Sequence, residues 1–173
     1  TLFAKKNIEL RDVQTYNKEL SDIWGYANNG KEYALVGLID GLSIVDVTDP
    51  DDIEALFFVR GPSSIWRDIK TWNDHAYVTN ESDSGWLIID LSDLPNSIQH
   101  QYWKADTLLK TAHNIYIDEQ GYAYIFGFNS LNGRIPFDER GVIIADLNND
   151  PKQPELEAIY TENYVHDGFV RND

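Results

Sequence analysis

Short apolar runs separated by turn residues recur along the chain, and none repeats every third or fourth position over a helical length. Tyr33 to Leu38, His75 to Thr79 and Tyr122 to Gly127 are such runs, entered through Asn28-Asn29-Gly30, Asn73-Asp74 and Glu119-Gln120-Gly121. Ile53 to Val59 alternates before Gly61-Pro62. β-Branched and aromatic residues bounded by Gly, Asn, Asp and Pro predict strands at each of these places. Lys104 to Lys110 is the one stretch read as a helical turn.

The strands repeat as sets. Gly41-Leu42-Ser43-Ile44-Val45-Asp46-Val47-Thr48-Asp49-Pro50 is echoed by Gly85-Trp86-Leu87-Ile88-Ile89-Asp90-Leu91-Ser92-Asp93-Leu94-Pro95, and again by Gly141-Val142-Ile143-Ile144-Ala145-Asp146-Leu147 with Asn148 to Pro151 in the turn. Upstream of each copy a polar pair leads into an apolar strand: Ser21-Asp22, Arg67-Asp68, His113-Asn114 and finally His166-Asp167. Both markers give a period of roughly 45 residues with about four short strands per unit, the size and content of one β-propeller blade. Phe128 to Arg140 reads as a loop insertion that stretches the third unit.

The predicted architecture is therefore all-β, a single partial β-propeller domain over 1–173. Residues 1–19 are expected as the outer strand of a preceding or closing blade, 20–61, 62–110 and 111–162 as three blades, and 163–173 as the first strand of the next. Since a propeller closes with typically about four to eight blades, the chain is expected to pair with further blades of a longer protein.

Composition narrows the partners. A formal charge of −15, from 29 acidic against 14 basic side chains, argues against a nucleic-acid backbone, whose affinity comes from Lys and Arg displacing counterions. Cations or proteins with basic faces fit better. Cysteine is absent, which excludes disulfides and thiolate metal sites. No apolar stretch is long enough to span a bilayer.

The segments Ser21 to Asp49, Gly61-Pro62-Ser63-Ser64-Ile65-Trp66-Arg67-Asp68-Ile69-Lys70, Ile88 to Pro95, Ala112-His113-Asn114-Ile115-Tyr116-Ile117-Asp118 and Tyr164 to Asp167 resemble the choice-of-anchor B family, whose LVIVD-type repeats build a propeller. The resemblance implies a secreted or surface-attached bacterial protein.

In a propeller the first strand of each blade lines a central channel, so equivalent residues form a ring at one height. Asp22, Asp68, Asn114 and Asp167 are expected as that ring, with Arg67, His113 and His166 beside them at the mouth. Such a set suits two readings. Its Asp and Asn oxygens suit Ca²⁺ or Mg²⁺, whereas a site built on His113 and His166 with Asp68 and Asp167 suits Zn²⁺ or another transition metal. The plainer reading is that these groups cap strands, bond to neighbouring backbone and hold ordered channel water. Arg67 is expected to pair with Asp68 or the ring carboxylates in preference to a ligand's carboxylate.

Other polar motifs read as structural. Asp46, Asp90 and Asp146 sit where turn aspartates bond their own backbone. Asn80 to Gly85 and Asp46 to Glu54 lack the twelve-residue calcium-loop pattern and read as turns. No Gly-x-Ser-x-Gly occurs, and a His166-Asp167 dyad is weakened because neighbouring strand residues point to opposite faces. His75 and His100 are expected to be satisfied or exposed near turns, and Trp24, Trp66, Trp72, Trp86 and Trp103 to pack between units. The expected function is a secreted or surface scaffold that binds a protein or glycan partner, with a cation in its channel as an added element. The rival is a metal-dependent hydrolase or lyase at the mouth.

Overall fold

The computed structural model describes residues 8–133 and 135–171. Among the described residues fourteen strands form four antiparallel sheets, joined by turns and two short 3-10 segments. The first sheet is a meander of β1 (Leu20–Asn28), β2 (Lys31–Leu38), β3 (Gly41–Asp46) and β4 (Glu54–Arg60). The second has the same order, with β5 (Ile69–Trp72), β6 (His75–Val78), β7 (Trp86–Asp90) and β8 (Gln99–Trp103). β9 (Leu109–Thr111) precedes the third meander, β10 (Asn114–Ile117), β11 (Tyr122–Phe126), β13 (Val142–Asp146) and β14 (Glu155–Tyr160). Within the insertion, β12 (Asn129–Ser130) pairs with β9 as a two-stranded sheet. Among the described residues no helix is long and apolar enough to cross a membrane.

The repeated aspartates hold one register in all three meanders. Asp46, Asp90 and Asp146 end the third strand opposite Tyr33, His75 and Tyr122, the starts or near-starts of the second. Each carboxylate then accepts the amide two residues on, from Thr48, Ser92 and Asn148, at 3.0, 3.0 and 2.8 Å. These bonds stop the strand and turn the chain toward the fourth strand. The glycines at the start of the repeat have an equally local cause. A Cβ at Gly41, Gly85 or Gly141 would overlap the carbonyl oxygen of Val59, Trp103 or Tyr160 on the neighbouring outer strand, so the ladder closes there only without a side chain.

Side-chain alternation decides how the sheets stack. Along β7, Leu87 and Ile89 face the first sheet, in a core with Leu35, Leu42, Ile44 and Val59, while Trp86 and Ile88 face the third, in a core with Ile115, Ile125 and Ile143. The inner strands of the second sheet, β6 and β7, are thus buried on both faces, which is why Trp86 to Ile89 reads as an unbroken apolar run. Trp86 is the largest of its fully buried side chains and stacks at 4.9 Å from Tyr77 and 5.7 Å from Trp103. β1 lies beside β5, and β5 beside β10, so the first strands of successive sheets are neighbours.

Three expectations are corrected. Residues 8–19 form no strand but run along the first sheet through side-chain bonds: Arg11 with Asp51, the Ile53 amide to Asp12 at 3.1 Å, and Tyr16 to Ser43 at 2.9 Å. Residues 1–7 lie outside the described residues. The 104–110 stretch is not helical, because Ala105, Asp106 and Thr107 all take positive φ before β9 begins. Residues 163–171 are not a strand either; no second strand pairs with them among the described residues, and Val165 is tied instead to Gly127 and Arg140.

Two outcomes follow. Trp86→Ala removes the side chain that fills the space between the second and third sheets and lowers unfolding free energy by about 3–5 kcal/mol in chemical denaturation. The second outcome concerns acid. Burial alone raises the Asp90 carboxyl, but bonds from the Ser92 hydroxyl and amide, with Lys152 and His75 nearby, outweigh it and hold the group below its ordinary value. Stability from such a carboxylate is present above the unfolded value, about 3.9, and is lost as pH falls below it. Asp90→Asn keeps the turn acceptor without the charge, so its deficit in melting temperature at pH 7 shrinks toward zero near about pH 2; a deficit constant with pH contradicts this account.

Candidate functional site

The adjacent ends of β1, β5 and β10 bring Asp22, Arg67, Asp68, His113 and Asn114 to one place. They line a groove of about 560 Å³ together with Ser21 and Trp66. Three members of the expected ring, Asp22, Asp68 and Asn114, do meet there.

One oxygen of each aspartate bonds the neighbouring sheet. Asp22 Oδ2 accepts the Ile69 amide at 2.9 Å, and Asp68 Oδ2 accepts the Ile115 amide at 2.9 Å, each 47 residues along the chain. Asp68 Oδ2 also accepts Asn114 Nδ2 at 2.8 Å, and its Oδ1 accepts the Ile69 amide at 3.0 Å and Lys70 Nζ at 2.7 Å. Four donors leave Asp68 no oxygen directed at a ligand, and the reading of Asp68 as a metal ligand is corrected accordingly. Burial raises the Asp22 carboxyl above its ordinary value, opposed by the Ile69 amide and reinforced by repulsion from Asp68. Thr79 adds a further tie, accepting the Asp68 amide at 2.8 Å and donating to the His113 carbonyl at 3.2 Å.

Arg67 is 4% exposed and bonds no carboxylate. Its guanidinium donates to the carbonyls of Leu38 at 2.8 Å, Ile39 at 3.3 Å and Pro62, locking the loop after β4 onto the end of β2. The expected pairing with Asp68 is replaced by these carbonyls because the side chain points back into the first sheet. Burial lowers its affinity for the proton, yet a guanidinium stays charged.

Asp167 departs from the ring and stands with the two imidazoles. His166 Nδ1 lies 2.6 Å from Asp167 Oδ2, and His113 Nε2 lies 3.8 Å from Asp167 Oδ1. The His113 and His166 rings are 4.0 Å apart between centroids. The objection to a His166-Asp167 contact assumed a strand; with the extended ladder absent, the two side chains turn to the same side. Gly127 makes the approach feasible, since a Cβ on it would come within 2.6 Å of His113 Cβ and 3.2 Å of the His166 carbonyl.

Two participants escaped sequence reading. Glu81 Oε1 lies 2.6 Å from His113 Nδ1, a contact across 32 positions that no local pattern signals. Trp66, expected in a core, is 54% exposed and its ring centre is 6.1 Å from that of His113. Of the other calls of this kind, Trp86 and Trp103 are buried and Asn80 Oδ1 accepts the Ser82 and Asp83 amides as a plain turn, whereas Trp24 is 36% exposed and buried His75 bonds the Asn73 carbonyl through Nδ1 at 2.7 Å but leaves Nε2 without a hydrogen-bond partner among the described residues.

No family model matches the chain, and no curated protein matches it. The resemblance to the choice-of-anchor B family stands on its motif residues alone.

Replacing Asp68 by Ala strands the Ile115 amide and leaves Asn114 and Lys70 without this acceptor, while the Ile69 amide keeps its bond to Asp22. The expected loss is about 2–4 kcal/mol of unfolding free energy, with Asp68→Asn intermediate because one oxygen still accepts. Equal stability of Asp68→Ala and the parent chain in denaturant titration contradicts the cross-sheet role.

Proposed function

We propose that the three meanders are blades of a β-propeller and that the protein is a secreted or cell-surface binding module of the choice-of-anchor B type. The repeat period, the four-stranded antiparallel units, the neighbouring first strands and the stacked sheet faces support the propeller reading. The motif resemblance supports the surface setting.

The observation that carries the binding reading is Trp66. Trp72, Trp86 and Trp103 of the second sheet are buried or half-buried and Trp24 of the first is 36% exposed, whereas Trp66 leaves 54% of its surface open at the lip of a groove with hydrogen-bonding side chains. An exposed indole beside polar groups is the arrangement that stacks on a sugar ring or anchors a protein partner's contact. The groove's fixed polar groups are held by cross-sheet bonds, so they keep their positions without a ligand. The acidic surroundings select a neutral or basic partner.

A metal-dependent hydrolase or lyase is the second reading, favoured by His113 lining this same groove. Asp68 is a poor base for it, since both oxygens are engaged. An activity screen in which His113→Ala abolishes turnover selects the enzyme.

For the binding reading, the test is a glycan array and a panel of bacterial surface proteins, followed by titration of the best hit. Trp66→Ala is expected to leave stability within about 0.5 kcal/mol, as for an exposed site, and to weaken binding at least about tenfold, as for an anchoring aromatic. Full binding by Trp66→Ala removes the groove from the account.

A further inference from the structure

Beside the groove, His113, His166 and Asp167 each offer a donor atom, and the three atoms lie within 4.8 Å of one another. We propose that these three side chains bind one divalent transition-metal ion of the zinc class, with Glu81 as the positioning residue for His113. The inference supplies the metal on which the hydrolase or lyase reading rests, and it is independent of a partner stacked on Trp66.

The chemistry of the donors sets the class of ion. Two imidazole nitrogens and one carboxylate match zinc and its neighbours in the first transition row, whereas calcium and magnesium take all-oxygen sets. A tetrahedral site with bonds of about 2.0–2.1 Å places its donors about 3.3 Å apart. The widest separation, up to 4.8 Å, therefore closes by up to about 1.5 Å, while the 2.6 Å hydrogen bond between His166 and Asp167 opens. His166 and Asp167 have side chains more than half exposed, at 55% and 59%, and sit outside any strand, so small rotations of these two side chains close the set.

His113 is the fixed member. Its side chain is only 21% exposed, and its main chain is held by the amide bond to the Phe126 carbonyl at 3.1 Å and the Thr79 hydroxyl at 3.2 Å. Glu81 Oε1, 2.6 Å from Nδ1, accepts the hydrogen bond of the Nδ1–H, which leaves the Nε2 lone pair facing Asp167. A carboxylate on the far nitrogen of a ligating histidine is the arrangement that orients metal ligands and raises their basicity. Three protein donors leave a fourth position for water or a ligand.

The bare alternative is an imidazole pair neutralised by Glu81 and Asp167 with no ion. Calorimetric titration of the metal-stripped chain with zinc chloride separates the two. The expected result is one zinc per chain, with affinity reduced at least tenfold in both His113→Ala and His166→Ala and unchanged in His100→Ala. Glu81→Gln weakens zinc about 10–100-fold while leaving one ion per chain, as for the loss of an orienting carboxylate. His166 is exposed, so its variant stays folded even where His113→Ala does not, and circular dichroism checks both. Absence of stoichiometric zinc binding overturns the proposal. So does zinc binding that survives His166→Ala at full affinity, or calcium chloride binding at least as tightly as zinc.

Discussion

A carboxylate on the first strand of one sheet accepting the leading amide of the next is the interaction on which the rest of the molecule is arranged. It occurs twice in equivalent form, from Asp22 to Ile69 and from Asp68 to Ile115. Apolar packing between sheets is the larger energy, but it is non-directional and tolerates sliding. A charge-assisted bond to a defined amide fixes where along the strand the neighbour sits. With the first strands fixed, alternation along β7 delivers Leu87 and Ile89 to one interface and Trp86 and Ile88 to the other.

The same constraint sorts the polar residues at the strand ends into two groups. Asp22, Asp68 and Arg67 are consumed by backbone partners on neighbouring segments, and their contribution to the groove is its fixed wall. His113, His166 and Asp167 lie just beyond that wall, where the chain leaves the sheet and side chains have room to regroup. Trp66, between the two, presents its ring to solvent. A groove with a fixed wall and an adjustable corner is the result.

Much of this was legible in the residues. The Gly-to-Asp repeat predicted the third strand of every unit because both of its end residues answer to local geometry: a glycine that must clear a neighbouring carbonyl, and an aspartate that bonds its own turn. The meeting of Asp22, Asp68 and Asn114 followed from the period alone. What escaped depends on contacts that periodicity does not encode. Arg67 was assigned to carboxylates because opposite charges attract, yet three carbonyls of the first sheet lay nearer. Glu81 was seen only as one oxygen in a turn. The stretch at 163–171 matched its repeat in residue type, but a strand also requires a partner ladder, and that information is not carried by the segment itself.

Amide hydrogen exchange at Ile69 and Ile115 tests the central claim most directly. If carboxylates register the sheets, Asp22→Ala speeds exchange at Ile69 and Asp68→Ala at Ile115, each well beyond amides in the middle of β7, because the junction opens locally before the sheet does. Exchange at both amides that is unchanged, or that rises only in step with the β7 amides, would show that the sheets are held by apolar packing alone and that the aspartates register nothing.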